Sequence, residues 1–200
     1  MQDWCGFAGF FSAVTTPDWR DRAADHAARL GLTRTAGDDI SKFEFRGGAR
    51  ARLAVEVTDR EWPMFGVFGM TADLFTADRA AETARVLLAL ADGLRARFAR
   101  SYFGDSAVPT VNELEQGPDS LDWLQYFGSA ITNRFPKPLS GGPFHATYTF
   151  DSGGAGIALG VSPFGDLLSR KAAAQYLGIT LRPIRAKNPA TGAPIELTWP

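Results

Sequence analysis

The chain has 200 residues, of which 45% are hydrophobic and 12% aromatic, and this is enough to bury one substantial core. Its 21 Lys and Arg residues are balanced by 22 Asp and Glu residues, which gives a formal net charge of -1. This balance lacks the basic excess of surfaces that follow phosphate backbones, so nucleic-acid binding is disfavoured. We therefore expect one domain over residues 1–200 that binds no nucleic acid.

The composition also bears on the compartment and on cofactors. The single cysteine, Cys5, excludes an internal disulfide framework and favours a reducing compartment, and we expect it to be buried as a small apolar side chain. The two histidines, His26 and His145, provide little material for a zinc site. Asp3 stands where a secretory signal would carry positive charge, and no apolar run is long enough to cross a membrane. We expect a cytoplasmic protein with no metal, cofactor or membrane contact.

Hydrophobic periodicity and turn residues predict five elements in the first half of the chain. Thr16-Pro17-Asp18 provides the start of a helix that Gly31 ends. Alternating residues on both sides of Arg46-Gly47-Gly48-Ala49 indicate a hairpin with one polar face. The predicted elements are a strand over 4–14, a helix over 17–30, a hairpin over 42–58, a central strand over 64–70 and a long amphipathic helix over 77–99.

The second half shows the same two kinds of pattern. Apolar residues three to four positions apart between Leu121 and Phe135 indicate a short helix, and alternation around 151–154 indicates a second hairpin. Gly178 ends a last helix, and Pro183 places a last strand at an edge. The predicted elements are a short strand over 101–107, a loop over 108–118, a helix over 120–134, a hairpin over 144–161, a helix over 166–177 and a strand over 179–184.

The order of these elements indicates the fold class. Hairpins alternate with helices, and the repeated single-strand crossovers of a doubly wound sheet are absent from the predicted order. The sequence therefore predicts an α+β fold, with a mainly antiparallel sheet and helices packed on one face.

An acidic segment is the most informative polar feature. Glu113, Glu115, Asp119 and Asp122 fall within ten residues that contain no Lys or Arg. Such a patch repels phosphate and attracts basic surfaces. No histidine or further acid is spaced locally to complete a metal site or an acid–base site with these carboxylates. The segment 109–122 is therefore a candidate partner-binding face, with a merely solvated loop as the alternative.

The region that follows resembles a known family. The run DWLQYFGSAI at 122–131, the predicted second hairpin and the helix end at 172–178 resemble bacterial polymorphic-toxin immunity proteins, including those associated with type VI secretion. In that family a similar tryptophan, tyrosine and glycine run precedes a β-hairpin. The resemblance covers mainly residues 120–180, and the first hundred residues depart from the family pattern. It implies a small cytoplasmic α+β protein that neutralises a cognate toxin by binding it, without catalysis. In a nuclease toxin with a basic cleft, the acidic residues would occupy that cleft.

Two other classes of function stay open from the residues alone. An enzyme would need a cleft that holds His145 as a general base beside a carboxylate, either Asp151 or Glu44. A subunit of a phage or secretion assembly would need a large exposed apolar patch, for which the aromatic N-terminal run over 4–11 is the candidate. The surroundings of His145 and of that run distinguish these alternatives.

Overall fold

A computed structural model describes residues 4–10, 25, 28, 29, 32–35, 41–45, 54–58, 64–103, 111–182, 184–187 and 194–197. The strands are β1 Trp4–Phe10, β2 Leu32–Thr35, β3 Ser41–Phe45, β4 Ala54–Thr58, β5 Met64–Thr71, β6 Phe98–Tyr102, β7 Leu124–Phe127, β8 Ala146–Thr149, β9 Ala155–Ala158, β10 Ile184–Lys187 and β11 Pro194–Leu197. The α-helices are α1 Ala80–Gly93, α2 Val111–Gln116, α3 Ser129–Thr132 and α4 Arg170–Leu177. Two short 3-10 helices occupy Ala72–Phe75 and Leu139–Gly141.

Nine of these strands form one antiparallel sheet. The order is β2-β3-β4-β5-β1-β6-β7-β9-β8, and β10 pairs with β11 in a separate two-stranded sheet. β1 occupies the middle of the large sheet, where it pairs with β5 on one side and β6 on the other. β1 therefore joins two groups of strands that are each close in sequence.

Alternation along the strands divides the buried residues between the two faces of this sheet. Phe7 contributes to a core that includes most of the buried face of α1, whereas its neighbour Ala8 contributes to a second core that includes Leu177 of α4. In β6, Ala99 likewise contributes to the first core and Phe98 to the second. The long helix and the last helix thus cover opposite faces of the sheet.

The predicted fold class, α+β with a mainly antiparallel sheet, is confirmed. α1 packs on one face of the sheet, as expected. α4 adds a helical layer on the other face, which the prediction did not include. Both hairpins are present as β3–β4 and β8–β9, and the central strand is present as β5. Gly178 ends the last helix with a φ of +70°, a left-handed conformation that glycine adopts without steric cost. Within the predicted helix over 17–30, Asp25, Ala28 and Arg29 are helical, and its other residues lie outside the described part of the chain.

The helix predicted over 120–134 is wrong for most of its length. Leu124–Phe127 forms strand β7, and only Ser129–Thr132 is helical. All four β7 residues are buried, because both faces of the sheet are covered at that point. A strand buried on both faces has no polar alternation, so its apolar residues also fit a helical spacing.

The helix predicted over 77–99 ends early, at Gly93. Arg95 has a φ of 55°, and the Ala96 N–H donates a hydrogen bond to the Ala91 carbonyl at 2.9 Å. This left-handed residue stops the helical hydrogen-bond pattern, and Phe98 begins β6. The short strand predicted over 101–107 is therefore displaced towards the N-terminus.

Two further boundaries differ from the predictions. The predicted loop over 108–118 contains helix α2, Val111–Gln116. The last strand is predicted over 179–184, but residues 179–182 form no strand. Strand β10 instead begins at Ile184 and pairs with β11.

Candidate functional site

The acidic segment folds around a buried ion pair. Glu113 of α2 and Arg100 of β6 are 0% and 1% exposed, and the Arg100 guanidinium donates a hydrogen bond to Glu113 Oε1. Arg100 Nη1 also donates to Ser120 Oγ at 2.5 Å. Arg182 Nη1 lies 3.8 Å from the other carboxylate oxygen of Glu113. Two arginines, Arg100 and Arg182, thus neutralise the buried Glu113 carboxylate.

The prediction that Glu113 belongs to an exposed partner-binding face is therefore corrected. Its side chain is fully buried, and it compensates the charge of Arg100, which β6 places in the sheet interior. A buried charge needs a partner of opposite sign and hydrogen bonds to remain stable. The role of Glu113 is to hold α2 against the sheet.

The other three predicted residues differ in exposure. Glu115 is exposed on α2. The Asp122 side chain is 25% exposed and pairs with Arg170 Nη2 at 3.2 Å, yet burial raises the pKa of this carboxyl above its ordinary value despite the nearby Arg170. The Asp119 side chain is 16% exposed, and Arg182 Nε lies 3.6 Å from Asp119 Oδ1. The four carboxylates do not form one continuous acidic surface.

Asp119 lines a concave surface that we call the Asp119 cleft, with a volume of about 340 Å³. Elements distant in sequence build it: α2 and the turn after it, α3, and the chain that follows α4. Its apolar lining residues are Ile131, Phe135, Leu177 and Ile179, and its polar lining residues include Asn112, Gln116, Asp119, Arg134 and Thr180. An apolar lining with a few polar groups is typical of surfaces that anchor a side chain of a binding partner.

The Asp119 carboxylate has unused hydrogen-bonding capacity. Its Oδ1 atom is buried and accepts no hydrogen bond from a described residue, and the 3.6 Å separation from Arg182 Nε is too long for one. Burial and the neighbouring Glu113 carboxylate raise the pKa of Asp119, although Arg182 and Arg100 oppose that change. An additional cation would stabilise the ionised carboxylate.

The aromatic run after the acidic segment is part of the core. Trp123, Tyr126 and Phe127 are each at most 2% exposed. Trp123 Nε1 donates a hydrogen bond to the Gly160 carbonyl at 2.8 Å, and its ring meets Phe75 edge to face with centroids 4.9 Å apart. These side chains fix the position of β7 and are not available as a contact surface.

The described residues do not assemble the alternative catalytic site. His145 is exposed and lines neither the Asp119 cleft nor a second cavity at the end of α1. Glu44 lies on β3, seven strand positions from β8 in the sheet order, which corresponds to about 34 Å at about 4.8 Å per strand. His145 and Asp151 flank opposite ends of β8, whose four residues extend about 13 Å. These separations keep both acids away from His145, and a catalytic site there gains no support from the described residues.

The N-terminal run also lacks the exposure that an assembly subunit would need. Residues 5–10 of β1 are all buried, with strands on both sides of them. Cys5 is 0% exposed, as predicted. The apolar patch predicted for an assembly interface is therefore core along the described part of this run.

Among the described residues, no group of three or more His, Cys, Asp or Glu side chains is placed to hold a metal ion. None of the described helices combines the length and the apolar character that crossing a membrane requires.

Comparison with known proteins gives no family. No protein-family model matches the chain, and neither does any curated protein. Among solved structures, a T6SS (type VI secretion system) protein of Pseudomonas aeruginosa is similar, with a TM-score of 0.49 and 10% sequence identity. The similarity covers 88% of this chain and 73% of that chain.

Proposed function

We propose that this protein is an immunity-type factor that acts in the cytoplasm and neutralises a cognate bacterial toxin by direct binding, without catalysis of its own. The observation that carries the proposal is the Asp119 carboxylate, which lies in a concave surface and has an oxygen that accepts no hydrogen bond from a described residue. The resemblance of residues 120–180 to polymorphic-toxin immunity proteins supports the same class of function.

The chemistry of the cleft indicates which group of the toxin it would receive. A Lys or Arg side chain would place its aliphatic stem against Ile131, Phe135 and Leu177 and its charged head near Asp119. Arg134 is held at the cleft by a hydrogen bond from Nη2 to the Gln116 carbonyl, 2.8 Å long. It would pair with an acidic group beside the inserted cation. A basic active-site cleft on the toxin supplies such cations.

The acidic segment therefore offers fewer free carboxylates for toxin binding than its composition suggests. Glu113 is committed to Arg100, and Asp122 to Arg170. The exposed Glu115 and the partly exposed Asp119 are the carboxylates that remain for a partner. Binding through so few charges depends on burial of an anchor side chain in the cleft as much as on charge.

The test begins with the wild-type protein as bait in lysate of its source, at low and high salt, with mass spectrometry of the eluate. A recovered protein is then expressed alone and with the bait, because a toxin arrests growth and its immunity factor restores it. Two variants test the cleft: Asp119→Asn removes the charge, and Thr180→Trp fills the concave surface. Matched controls are Asp151→Asn and Thr149→Trp, at exposed positions on the β8–β9 hairpin.

We expect both cleft variants to weaken binding about tenfold or more, the range for loss of a central anchor contact, and both control variants to bind as the wild type does. Failure to recover a growth-arresting partner at low salt would contradict the immunity function. Equal affinities for Asp119→Asn and Asp151→Asn would retain the function and reject the cleft as its binding face.

A further inference from the structure

A second cavity lies where α1 ends and the chain turns into β6. It has a volume of about 410 Å³, and its lining includes Asp92, Arg95, Arg97, Tyr126, Ser129 and Ser152. No prediction from the sequence pointed to this place, because the residues come from α1, β7, α3 and the β8–β9 turn. We call it the arginine cavity.

Arg95 has an unusual backbone conformation in this cavity. Its φ is 55°, and it is the one residue other than glycine with a positive φ in the described part of the chain. A left-handed conformation costs an L-residue with a β-carbon about 1–2 kcal/mol, and glycine or asparagine is the usual residue at the end of a helix. Residues with backbone strain of this kind are concentrated at functional sites. Arg95 is exposed and forms no ion pair with a described carboxylate.

Arg97, which also lines the cavity, has a donor without an acceptor. Its Nη2 atom donates to the Glu115 carbonyl at 2.6 Å, but its Nε atom is buried and donates no hydrogen bond to a described residue. A buried guanidinium donor without an acceptor is destabilising, and an anion is a partner that would accept its hydrogen bond. Arg97, like Arg95, has no described carboxylate as an ion-pair partner.

The one acidic side chain that lines the cavity is already engaged. Asp92 Oδ1 accepts hydrogen bonds from Tyr126 Oη, at 2.9 Å, and from Ser152 Oγ. Burial and this contact with Asp92 raise the pKa of the Tyr126 phenol, which therefore stays protonated and keeps donating. The charged residues of the lining, one carboxylate and two guanidiniums, leave an excess of one positive charge.

We propose that the arginine cavity binds a small-molecule oxyanion, a phosphate or carboxylate group, between the Arg95 and Arg97 guanidiniums. Guanidiniums bind these two groups through paired, charge-assisted hydrogen bonds. The volume lies within the range of about 300–1,000 Å³ that small-molecule sites occupy. The proposal is independent of toxin binding, because all the lining residues belong to this chain and the anion would bind without a partner protein.

The experiment is a titration of the ¹⁵N-labelled full chain with inorganic phosphate and, separately, with succinate, at constant ionic strength. The reporters are the Nε–H resonances of the arginines. Arg95→Gly removes one guanidinium without a steric demand on the backbone, and Arg97→Gln removes the other. Arg85→Gln, at an exposed position of α1 outside the cavity, is the control with the same change of charge.

We expect saturable shifts of the Arg97 Nε–H resonance with at least one of the two probes, and an affinity about tenfold lower in Arg95→Gly and in Arg97→Gln, as the loss of a charged hydrogen bond predicts. The probe that binds more tightly identifies phosphate or carboxylate as the preferred group. The proposal is overturned if neither probe saturates any resonance, or if Arg85→Gln weakens binding as much as Arg95→Gly does.

Discussion

Arg100 and Glu113 form an ion pair that lies wholly inside the protein, with 1% and 0% of their surfaces exposed. The arginine belongs to the large sheet and the glutamate to α2, thirteen positions later in the chain. Neither charge has access to bulk water, so each is stable in this environment because of the other. The pair therefore joins the acidic segment to the sheet.

Removal of one member of this pair should destabilise the protein strongly. Glu113→Gln keeps the shape of the side chain but leaves Arg100 buried without its carboxylate, and we expect the free energy of unfolding to fall by about 3–5 kcal/mol. Urea denaturation followed by circular dichroism measures it. Glu115→Gln, on the exposed face of the same helix, should change stability by less than about 0.5 kcal/mol. Similar losses in the two variants would show that the pair contributes nothing specific.

Asp119 should make stability depend on pH in a defined direction. Its folded pKa is raised by burial and by Glu113, so the folded state binds the proton more tightly than the unfolded state, whose pKa is about 3.9. Stability from this group therefore falls as the pH rises from about 3.9 through the folded pKa. Relative to Asp119→Asn, the wild type should lose stability over that range, in urea denaturation between pH 4 and pH 7. A difference between the two proteins that is constant with pH, or that grows in favour of the wild type, contradicts this expectation.

Replacement of Arg95 by glycine should stabilise the protein. The left-handed conformation costs about 1–2 kcal/mol for a residue with a β-carbon, and the greater freedom of glycine in the unfolded chain offsets about 0.4–1 kcal/mol of the gain. We expect a net increase of about 0.5–1 kcal/mol in the free energy of unfolding. Arg95→Ala removes the same charge but keeps the steric cost, so it should be less stable than Arg95→Gly. If both variants have the same stability, the effect comes from charge and not from the backbone.

Cys5 should be unreactive in the folded protein. Burial, with a smaller effect of the Asp122 carboxylate, raises the pKa of its thiol to about 12, and the thiolate is the reactive form. Ellman's reagent at pH 8 should therefore label the native protein only at the rate at which it unfolds, and label it fully in denaturant. Fast labelling of the native protein, at the rate of a small-molecule thiol, would mean that Cys5 is accessible.

The features that were predicted well from the sequence are those that depend on residues close to one another along the chain. Along β8, Thr147 and Thr149 are exposed while Ala146 and Tyr148 are partly buried, so one face meets solvent and the alternation is visible in the sequence. Gly178 ended the last helix for a local reason, since it takes a left-handed conformation there. Local chemistry of this kind is available without knowledge of the fold.

The candidate site could not be predicted in the same way. The charges in the acidic segment gave no sign that Glu113 would be buried, because its partner Arg100 lies on a separate strand. Arg95 carries none of the usual features of a helix end, so the sequence predicts a helix that continues to Ala99. Both clefts are formed by segments that only the tertiary structure brings together.

The position of β1 in the sheet has a consequence for biosynthesis. This strand is made before both of its partners: it pairs with β5, which ends at Thr71, and with β6, which ends at Tyr102. At about 5–20 residues per second, translation from Phe10 to Tyr102 takes about 5–20 s. During that time the apolar strand β1 lacks its neighbour β6. The β3–β4 and β8–β9 hairpins, in contrast, can form as soon as their residues leave the ribosome. At the centre of the sheet, the pairing of β1 is therefore complete only after β6 has been made.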